Sequence, residues 1–130
     1  MALAVGTDIV EIQRVAKVLS RQGDLSVRRI LCEAEQAEYQ RLNQSAAFLS
    51  KRFAAKEATS KALGTGFKQG VAPRQIGVVH APSGKPDLAV SGHVATLFEQ
   101  HDIVASHVSL SDDGGFAIAY VVLEIAGKPV

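Results

Sequence analysis

The segment from Ala46 to Leu63 constrains the fold more than any other part of this sequence, because it is the strongest helix signal. It is rich in Ala and Lys, and Gly64-Thr65-Gly66 closes it. At about 100° per residue, its small side chains gather in one arc, which contains Ala54, Ala55, Ala58 and Ala62. Such a stripe lets the helix lie close against a neighbouring element. The opposite half is then expected to be available for chemistry, and it carries Arg52, Lys56, Glu57, Ser60 and Lys61.

The character of the chain changes near its middle. Charged residues and helix formers dominate from Ile9 to Leu63, whereas β-branched residues, Gly and Pro become frequent from Gln75 onward. This order predicts helices first and a sheet afterwards, in the α+β class. A length of 130 residues is typical of one domain with a real core, so we expect a single domain over residues 1–130.

Local patterns predict the individual elements. The apolar run Leu3–Val10 is typical of a buried strand that brings Asp8 to a sheet edge or a loop, and helical spacing then continues to Gly23. The remaining predictions are a short helix at Cys32–Tyr39, a hairpin of Ile76–His80 with Asp87–Val90, a helix at Gly92–His101 capped by Ser91, and strands at Val104–Ser111 and Phe116–Ile125 around a turn at 112–115.

The last two predicted strands differ in pattern. Along Val104–Ser111 the residues alternate, which places Val104, Val108 and Leu110 on one side. Phe116–Ile125 is instead nearly all apolar, and such a strand needs cover on both faces. A chain this short can obtain that cover from another subunit.

Charge and cysteine content exclude several classes of function. A formal net charge of +1 argues against a broadly basic nucleic-acid binder. The one cysteine, Cys32, cannot form an intramolecular disulfide, so a reducing cytoplasm fits best. The N-terminal residues resemble no export signal, and no run approaches the ~20 apolar residues that cross a bilayer. We therefore expect a cytoplasmic protein with neither a nucleic acid nor a membrane as partner.

Asp8 is the first candidate for chemistry. It lies inside an apolar run, and a buried carboxylate is costly unless it is paired or binds a metal. Because Asp8 directly precedes the helical pattern, it could instead cap that helix, and the residues alone give both readings similar weight.

Glu57 and Lys61 form the second candidate. A Glu followed four residues later by Lys is usually a solvated helix pair. Several cations lie close by in the sequence, however, which suggests a polyanion site where the acid holds a divalent metal. One or two carboxylates with phosphate oxygens and water are a donor set that suits Mg²⁺.

Other motifs give weaker signals. Gly64-Thr65-Gly66 ends a helix rather than starting one, so it is not a phosphate loop, and no dinucleotide fingerprint is present. The histidines lack zinc-ligand spacing with Cys32, whose surroundings indicate an inert thiol. A basic group near the N-terminus is either a solvated helix face or a landing patch for an acidic partner, and comprises Arg14, Lys17, Arg21, Arg28 and Arg29.

Two longer motifs resemble a known family. Gly6-Thr7-Asp8-Ile9-Val10-Glu11-Ile12 and the segment from Phe48 to Gly66 are similar to the holo-acyl-carrier-protein synthases, the small bacterial class of 4′-phosphopantetheinyl transferases. The likeness continues through Gly84-Lys85-Pro86 and Ser106-His107-Val108-Ser109-Leu110, so it spans nearly the whole chain.

The resemblance implies a fold and a reaction. The fold would have N-terminal helices packed on a small, mostly antiparallel sheet, in a homotrimer with active sites between subunits. The enzyme would transfer 4′-phosphopantetheine from coenzyme A to a serine of apo acyl carrier protein, an acidic partner. The products would be adenosine 3′,5′-bisphosphate and the holo carrier protein used in fatty acid synthesis.

The resemblance also implies residue roles. Asp8 and Glu57 would be the Mg²⁺ ligands. Lys61, the third catalytic residue, would lie against a phosphate and stabilise the transition state. The general base stays unassigned. Coenzyme A would be bound by Arg52, Ser60, Lys61, Gly64, Lys85, Pro86 and His107. The carrier protein would dock on Arg14, Lys17, Arg21 and Arg28.

The sequence departs from the family pattern at Gly77, often acidic in the family, at Ser111-Asp112, often a Thr-His pair, and at Phe116, often Tyr. Two other functions stay open from the residues. A non-catalytic module that binds coenzyme A is disfavoured by the two acids, since binding a diphosphate alone calls for cations. A metal-dependent phosphohydrolase is the other, although it would have no use for the basic N-terminal helix.

Overall fold

A computed structural model describes residues 1–127. Five strands, five α-helices and a 3₁₀ turn at Pro73–Gln75 follow in the order β1 Ala2–Glu11, α1 Ile12–Gln22, α2 Asp24–Ile30, α3 Glu33–Arg41, α4 Ala46–Leu63, β2 Ile76–His80, β3 Pro86–Val90, α5 Gly92–Gln100, β4 Ile103–Asp113 and β5 Phe116–Ile125. Among these helices, none is long and apolar enough to cross a membrane.

The strands form two antiparallel sheets. Strands β1, β5 and β4 make a three-stranded sheet with β5 in the centre, and β2 pairs with β3 in a separate hairpin. Helices α1 to α4 precede every strand except β1, which agrees with the change in composition along the chain. The α+β class is therefore confirmed.

Helix α4 packs against the inner face of the three-stranded sheet, and small residues allow a close approach. Ala54, Ala55 and Ala58 are completely buried there. Gly6 of β1 lies against the same turn of α4, where an added Cβ would stand 1.9 Å from the carbonyl oxygen of Ala58. The predicted role of the alanine stripe is confirmed, and Gly6 supplies the matching gap on the strand.

The outer face of the same sheet is apolar and uncovered by residues 1–127. On β5 the inward residues Ala117, Ala119, Val121 and Leu123 have 0% exposure, whereas the residues that alternate with them on the outer face are exposed or half-buried. The large exposed apolar side chains of this face are Leu3, Val5, Ile9, Phe116, Ile118 and Tyr120. Residues 1–127 thus cover β5 on one side only.

The polar half of α4 differs from its prediction. Arg52 is 2% exposed, and Lys56 and Ser60 are 0% exposed, although that half of the helix was expected to be available. Helix α3 and the β2–β3 hairpin cover it, and hydrogen bonds satisfy the buried charges. Helical spacing alone does not reveal that a third layer lies on the charged side.

Three local predictions were also wrong. Val104 is 62% exposed, because a bulge between Ile103 and Ala105 inserts an extra residue and reverses the alternation. Asp112 and Asp113 continue β4 rather than belonging to the turn. Ser91 precedes α5 but its side chain makes no capping hydrogen bond.

Helix α2 was not predicted from the sequence. It is only seven residues long, so hydrophobic periodicity gives little signal. Its charges do match a helix dipole, with Asp24 in the first turn and Arg28 and Arg29 in the last. That charge order was the available clue.

Candidate active site

A pocket of about 530 Å³ lies between β1 and helices α1, α2 and α4. Its polar wall contains Asp8, Glu11, Arg14, Glu57 and Lys61. The rest of the lining is mostly apolar and includes Val15, Val18, Ile30, Leu49 and Phe53. Residues that are far apart in sequence and predicted to act together, Asp8, Glu57 and Lys61, therefore meet at one pocket.

Asp8 reaches this pocket from within a strand. It pairs with Ala119 of β5 and shares the inner face of β1 with Gly6, so it points toward α4. Lys61 of α4 donates from Nζ to Asp8 Oδ1 at 2.9 Å and to the Thr7 carbonyl at 3.1 Å. Helix α1 begins only at Ile12 and has no side-chain cap. The helix-cap reading of Asp8 was therefore wrong.

Glu57 faces Asp8 across the pocket. Burial raises the pKa of its carboxyl, the negative charge of Asp8 raises it further, and Lys61 opposes both effects. Within residues 1–127, Glu57 forms no ion pair, and Lys61 is bound to Asp8 instead. The alternative of a simple solvated Glu57–Lys61 pair was therefore wrong.

The donor set at this pocket fits a hard divalent cation. The negative charge of Asp8 acts on the Glu57 carboxylate, and a cation between the two carboxylates would relieve that repulsion. The described part of the chain contains no group of three or more His, Cys, Asp and Glu side chains able to hold a metal. A metal here would rest on Asp8 and Glu57 and take its other ligands from water or phosphate, as Mg²⁺ commonly does.

A second pocket, of about 330 Å³, lies between α3, α4 and the β2–β3 hairpin. Two of the residues predicted to bind coenzyme A line it, Arg52 and Pro86. Other lining residues are Glu38, Phe48, Lys51, His80, Gly84 and Leu110. Lys85 lies between Gly84 and Pro86 at the tip of the hairpin.

Arg52 is held tightly at the wall of this second pocket. Its guanidinium donates to the Val78 carbonyl and to Glu38 Oε2 at 3.2 Å, and it lies 3.2 Å from His80 Nδ1. The guanidinium carbon also stands 4.6 Å from the centre of the Phe48 ring, within cation–π range. Protein groups thus already occupy most of its donors.

The remaining predicted ligands of coenzyme A are dispersed. Ser60 is fully buried and its hydroxyl donates to the Glu57 carbonyl, so no ligand reaches it within one subunit. Gly64 ends α4 in the left-handed conformation. His107 lies on the outer face of the sheet, 2.6 Å from Glu124 and on the side opposite Asp8. Their roles toward coenzyme A stay predictions.

The predicted docking residues form an exposed basic surface beside the first pocket. Arg14, Lys17 and Arg21 lie on α1, and Arg28 lies on α2. None of these four has an acidic partner within residues 1–127. Arg14 also lines the first pocket, so the basic surface reaches the two carboxylates.

Comparison with known proteins decides the family. Residues 4–121 match the model of the 4′-phosphopantetheinyl transferase superfamily. The chain belongs to this superfamily. A holo-[acyl-carrier-protein] synthase of Vibrio cholerae is 48% identical over 124 residues, which cover 95% of this chain and 98% of the relative.

Solved structures show the same fold as this phosphopantetheinyl transferase. The holo-[acyl-carrier-protein] synthase of Neisseria meningitidis has a TM-score of 0.88 and 36% identity, covering 93% of this chain and 97% of the other. The Helicobacter pylori enzyme, solved in complex with coenzyme A, has a TM-score of 0.82 and 30% identity, covering 92% and 99%. These matches confirm the α+β phosphopantetheinyl transferase fold expected from the motifs.

Sequence reasoning missed one feature of this phosphopantetheinyl transferase, the buried ion pair of Glu35 and Lys56. Glu35 is 1% exposed and accepts from Lys56 Nζ at 2.7 Å. The spacing of Arg52 and Lys56, one helical turn apart, was not a sufficient signal, because the sequence does not show that both cations are buried and so require a carboxylate nearby. Which carboxylate serves them depends on tertiary contact between α3 and α4.

Proposed function

We propose that this chain is a holo-acyl-carrier-protein synthase. It transfers 4′-phosphopantetheine from coenzyme A to a serine hydroxyl of apo acyl carrier protein. The serine hydroxyl releases its proton to solvent as its oxygen bonds to the phosphorus next to the pantetheine. The bond from that phosphorus to the bridging oxygen breaks, and adenosine 3′,5′-bisphosphate leaves with that oxygen. The observation that carries this proposal is the meeting of Asp8, Glu57 and Lys61 at one pocket in a chain of this family.

Asp8 and Glu57 are the residues that would hold Mg²⁺. When bound, Mg²⁺ would neutralise charge on the diphosphate and so lower repulsion toward the incoming hydroxyl. Gly6 and Ala58 matter here because their close contact brings the strand and the helix that carry the two acids together.

Lys61 supplies a fixed positive charge beside the acids. Its Nζ is held by Asp8 Oδ1 and the Thr7 carbonyl, while its side chain is 53% exposed toward the pocket. An ammonium in that position can contact a phosphate oxygen and stabilise charge that develops as the diphosphate bond breaks. Lys61 therefore acts as the electrostatic partner of the transferred phosphate.

The nucleotide end of coenzyme A would bind in the second pocket. Lys51 and His80 line this pocket, and Lys85 adjoins it. Pro86 provides an apolar wall for a base. The residues of α4 that line the two pockets lie on different sides of this helix, so we expect one extended substrate to reach the nucleotide wall of one subunit and the two acids of its neighbour.

The protein forms a homotrimer in this proposal. The outer face of the three-stranded sheet exposes six large apolar side chains, which is unusual for a surface that stays in water. His107 lies on this face, so assembly would bring it to a neighbouring subunit. Clefts between subunits would then combine residues of two chains in each active site.

The acidic carrier protein would dock on the exposed basic side chains of α1 and α2. Arg14, Lys17, Arg21 and Arg28 lack acidic partners within residues 1–127, so they can attract a negatively charged protein. Arg14 lies at the first pocket, which would place the acceptor serine near Asp8 and Glu57. The free thiol of Cys32 agrees with a cytoplasmic location.

Mass spectrometry of the carrier protein tests the proposed function. The purified enzyme is incubated with coenzyme A, MgCl₂ and apo acyl carrier protein, and we expect the carrier to gain one phosphopantetheine. A carrier whose acceptor serine is replaced by Ala should gain none. Release of phosphopantetheine into solution without modification of the carrier would instead identify a phosphohydrolase and contradict the proposal.

A further inference from the structure

Three buried charges lie between α4, α3 and the hairpin. Lys56 and Arg52 of α4 are 0% and 2% exposed, and Glu35 of α3 is 1% exposed. Lys56 Nζ is 2.7 Å from Glu35 Oε1, and Arg52 Nη1 is 3.5 Å from Oε2. Apolar residues of similar size would usually stabilise a core equally well, so a buried charge network indicates a structural role that apolar side chains cannot fill.

The charged side chains bind backbone groups along the unpaired edge of β2. This strand pairs with β3 on one side, and among residues 1–127 no strand pairs with its other side. Lys56 donates to the Ile76 carbonyl at 2.5 Å, Arg52 donates to the Val78 carbonyl, and Glu35 accepts from the Val78 amide at 3.0 Å. Three charged side chains thus satisfy backbone groups that a neighbouring strand would otherwise pair.

Glu35 and Lys56 also bind backbone groups outside β2. Lys56 Nζ also donates to the Pro73 carbonyl at 3.1 Å, just before β2. Glu35 Oε1 also accepts from the backbone amide of Cys32 at 3.1 Å, which holds the start of α3. The pair therefore ties α3, α4 and the approach to the hairpin together.

The position of the hairpin determines the second pocket. His80 at the end of β2 lies 3.2 Å from Arg52, and Pro86 pairs with His80 at the start of β3. These residues and Gly84 form the wall that faces Lys51 on α4. Movement of β2 relative to α4 would therefore change the width of the pocket.

We propose that Glu35 and Lys56 are positioning residues that hold the β2–β3 hairpin against α4 and thereby shape the second pocket for the nucleotide end of coenzyme A. The inference rests on the proposed function. Neither side chain lines either pocket, so neither is a catalytic residue. Their loss should weaken the binding of coenzyme A while leaving the chemistry at Asp8 and Glu57 intact.

Steady-state kinetics of three variants test this inference. Glu35→Gln keeps the shape but removes the charge, Lys56→Met keeps the volume but removes the ammonium, and the double variant leaves no partner of the pair unmatched. We expect each to raise KM for coenzyme A about tenfold or more, with kcat within about threefold and KM for the carrier protein unchanged. The double variant should regain part of the Tm lost by the single variants, since neither Glu35 nor Lys56 is left charged without the other and Arg52 keeps its ion pair with Glu38, while its KM stays high.

Val27→Ala is the matched control. Val27 is 5% exposed and belongs to a core cluster that contains no residue of the β2–β3 hairpin, so its truncation lowers stability without removing a contact to the hairpin. An equal rise in KM in Val27→Ala at a similar loss of Tm would overturn the inference. An unchanged KM for coenzyme A in the Glu35 and Lys56 variants would do the same.

Hydrogen exchange provides a second readout if the variants do not fold. In the wild-type protein, addition of coenzyme A should slow exchange of the amides of Ile76–His80, including the Val78 amide bound by Glu35. No change there, in a protein that binds coenzyme A by calorimetry, would overturn the inference. A wild-type protein that neither binds nor uses coenzyme A would instead refute the proposed function.

Discussion

Asp8 and Glu57 interact because neither is fully solvated at the first pocket. Asp8 is 14% exposed and bound to Lys61, and the pKa of Glu57 is raised by burial and by Asp8. Two like charges held together reduce the stability of the folded protein. A bound cation would remove this repulsion and so stabilise the folded protein.

The raised pKa of Glu57 predicts a pH-dependent stability difference. The folded protein holds this proton more tightly than the unfolded chain, whose Glu57 titrates near 4.5. Stability therefore falls as pH rises through the window above 4.5 in which only the unfolded chain has lost the proton. In metal-free buffer, we expect Glu57→Gln to gain Tm relative to the wild type on going from pH 4 to pH 7, as thermal unfolding would measure.

Glu99→Gln is the control for this experiment, since it removes one exposed carboxylate of α5 that does not line the first pocket. A Tm difference between wild type and Glu57→Gln that does not change with pH, or that changes in the opposite direction, would contradict the assigned environment of Glu57. Addition of MgCl₂ should raise the Tm of the wild type more than that of Glu57→Gln.

At the scale of single residues, sequence reasoning found the important acids but not their surroundings. Asp8 was ambiguous between a cap and a ligand, because the residues do not show that β1 continues to Glu11. The resemblance to the family resolved the role that local pattern left open. Glu35 was missed because its partners are on another helix and on a strand edge.

At the scale of elements, the contact between β1 and α4 determines where the acids meet. Gly6 leaves room for the Ala58 carbonyl, and Asp8 follows two positions later on the same face. Any side chain at position 6 would push the strand away from the helix. The two carboxylates would then separate.

Gly6→Ala tests this contact. We expect it to lower the free energy of unfolding by about 1–3 kcal/mol or more, through overpacking, and to reduce transfer activity because Asp8 is displaced. Urea denaturation and the transfer assay measure the two effects. Ala58→Gly should not restore either, since the clash is with a backbone oxygen. A Gly6→Ala protein of unchanged stability and activity would show that the strand has room to move.

Helix bounds were more predictable than helix environments. The bounds of α4 follow the prediction at both ends, because Gly64 in the left-handed conformation ends the helix as expected. The burial of Arg52 and Lys56 could not be predicted, because it depends on the hairpin, which lies later in the chain. Val104 was misplaced because a bulge leaves no distinct mark in a run of apolar residues.

At the scale of the whole molecule, the outer face of the three-stranded sheet is an exposed apolar surface of the single subunit. The sequence predicts that β5 needs cover on both faces, and residues 1–127 provide it on one. The family match adds the fold of the subunit but the assembly stays a proposal. A substitution on this face tests it.

Ile118→Glu places a charge on the outer face, where Ile118 is 40% exposed in the single chain. We expect a trimer for the wild type and monomers for the variant by light scattering after gel filtration, with loss of transfer activity. Val79→Glu is the matched control, because Val79 is 45% exposed on the hairpin, away from this face. A wild type that is monomeric and fully active would refute the proposed homotrimer.

The most direct test of the central claim is a crystal structure with coenzyme A and Mn²⁺, in which anomalous scattering locates the metal. We expect one strong peak that contacts the carboxylates of both Asp8 and Glu57 and the diphosphate of coenzyme A. A peak elsewhere, or none while coenzyme A is bound, would contradict the account.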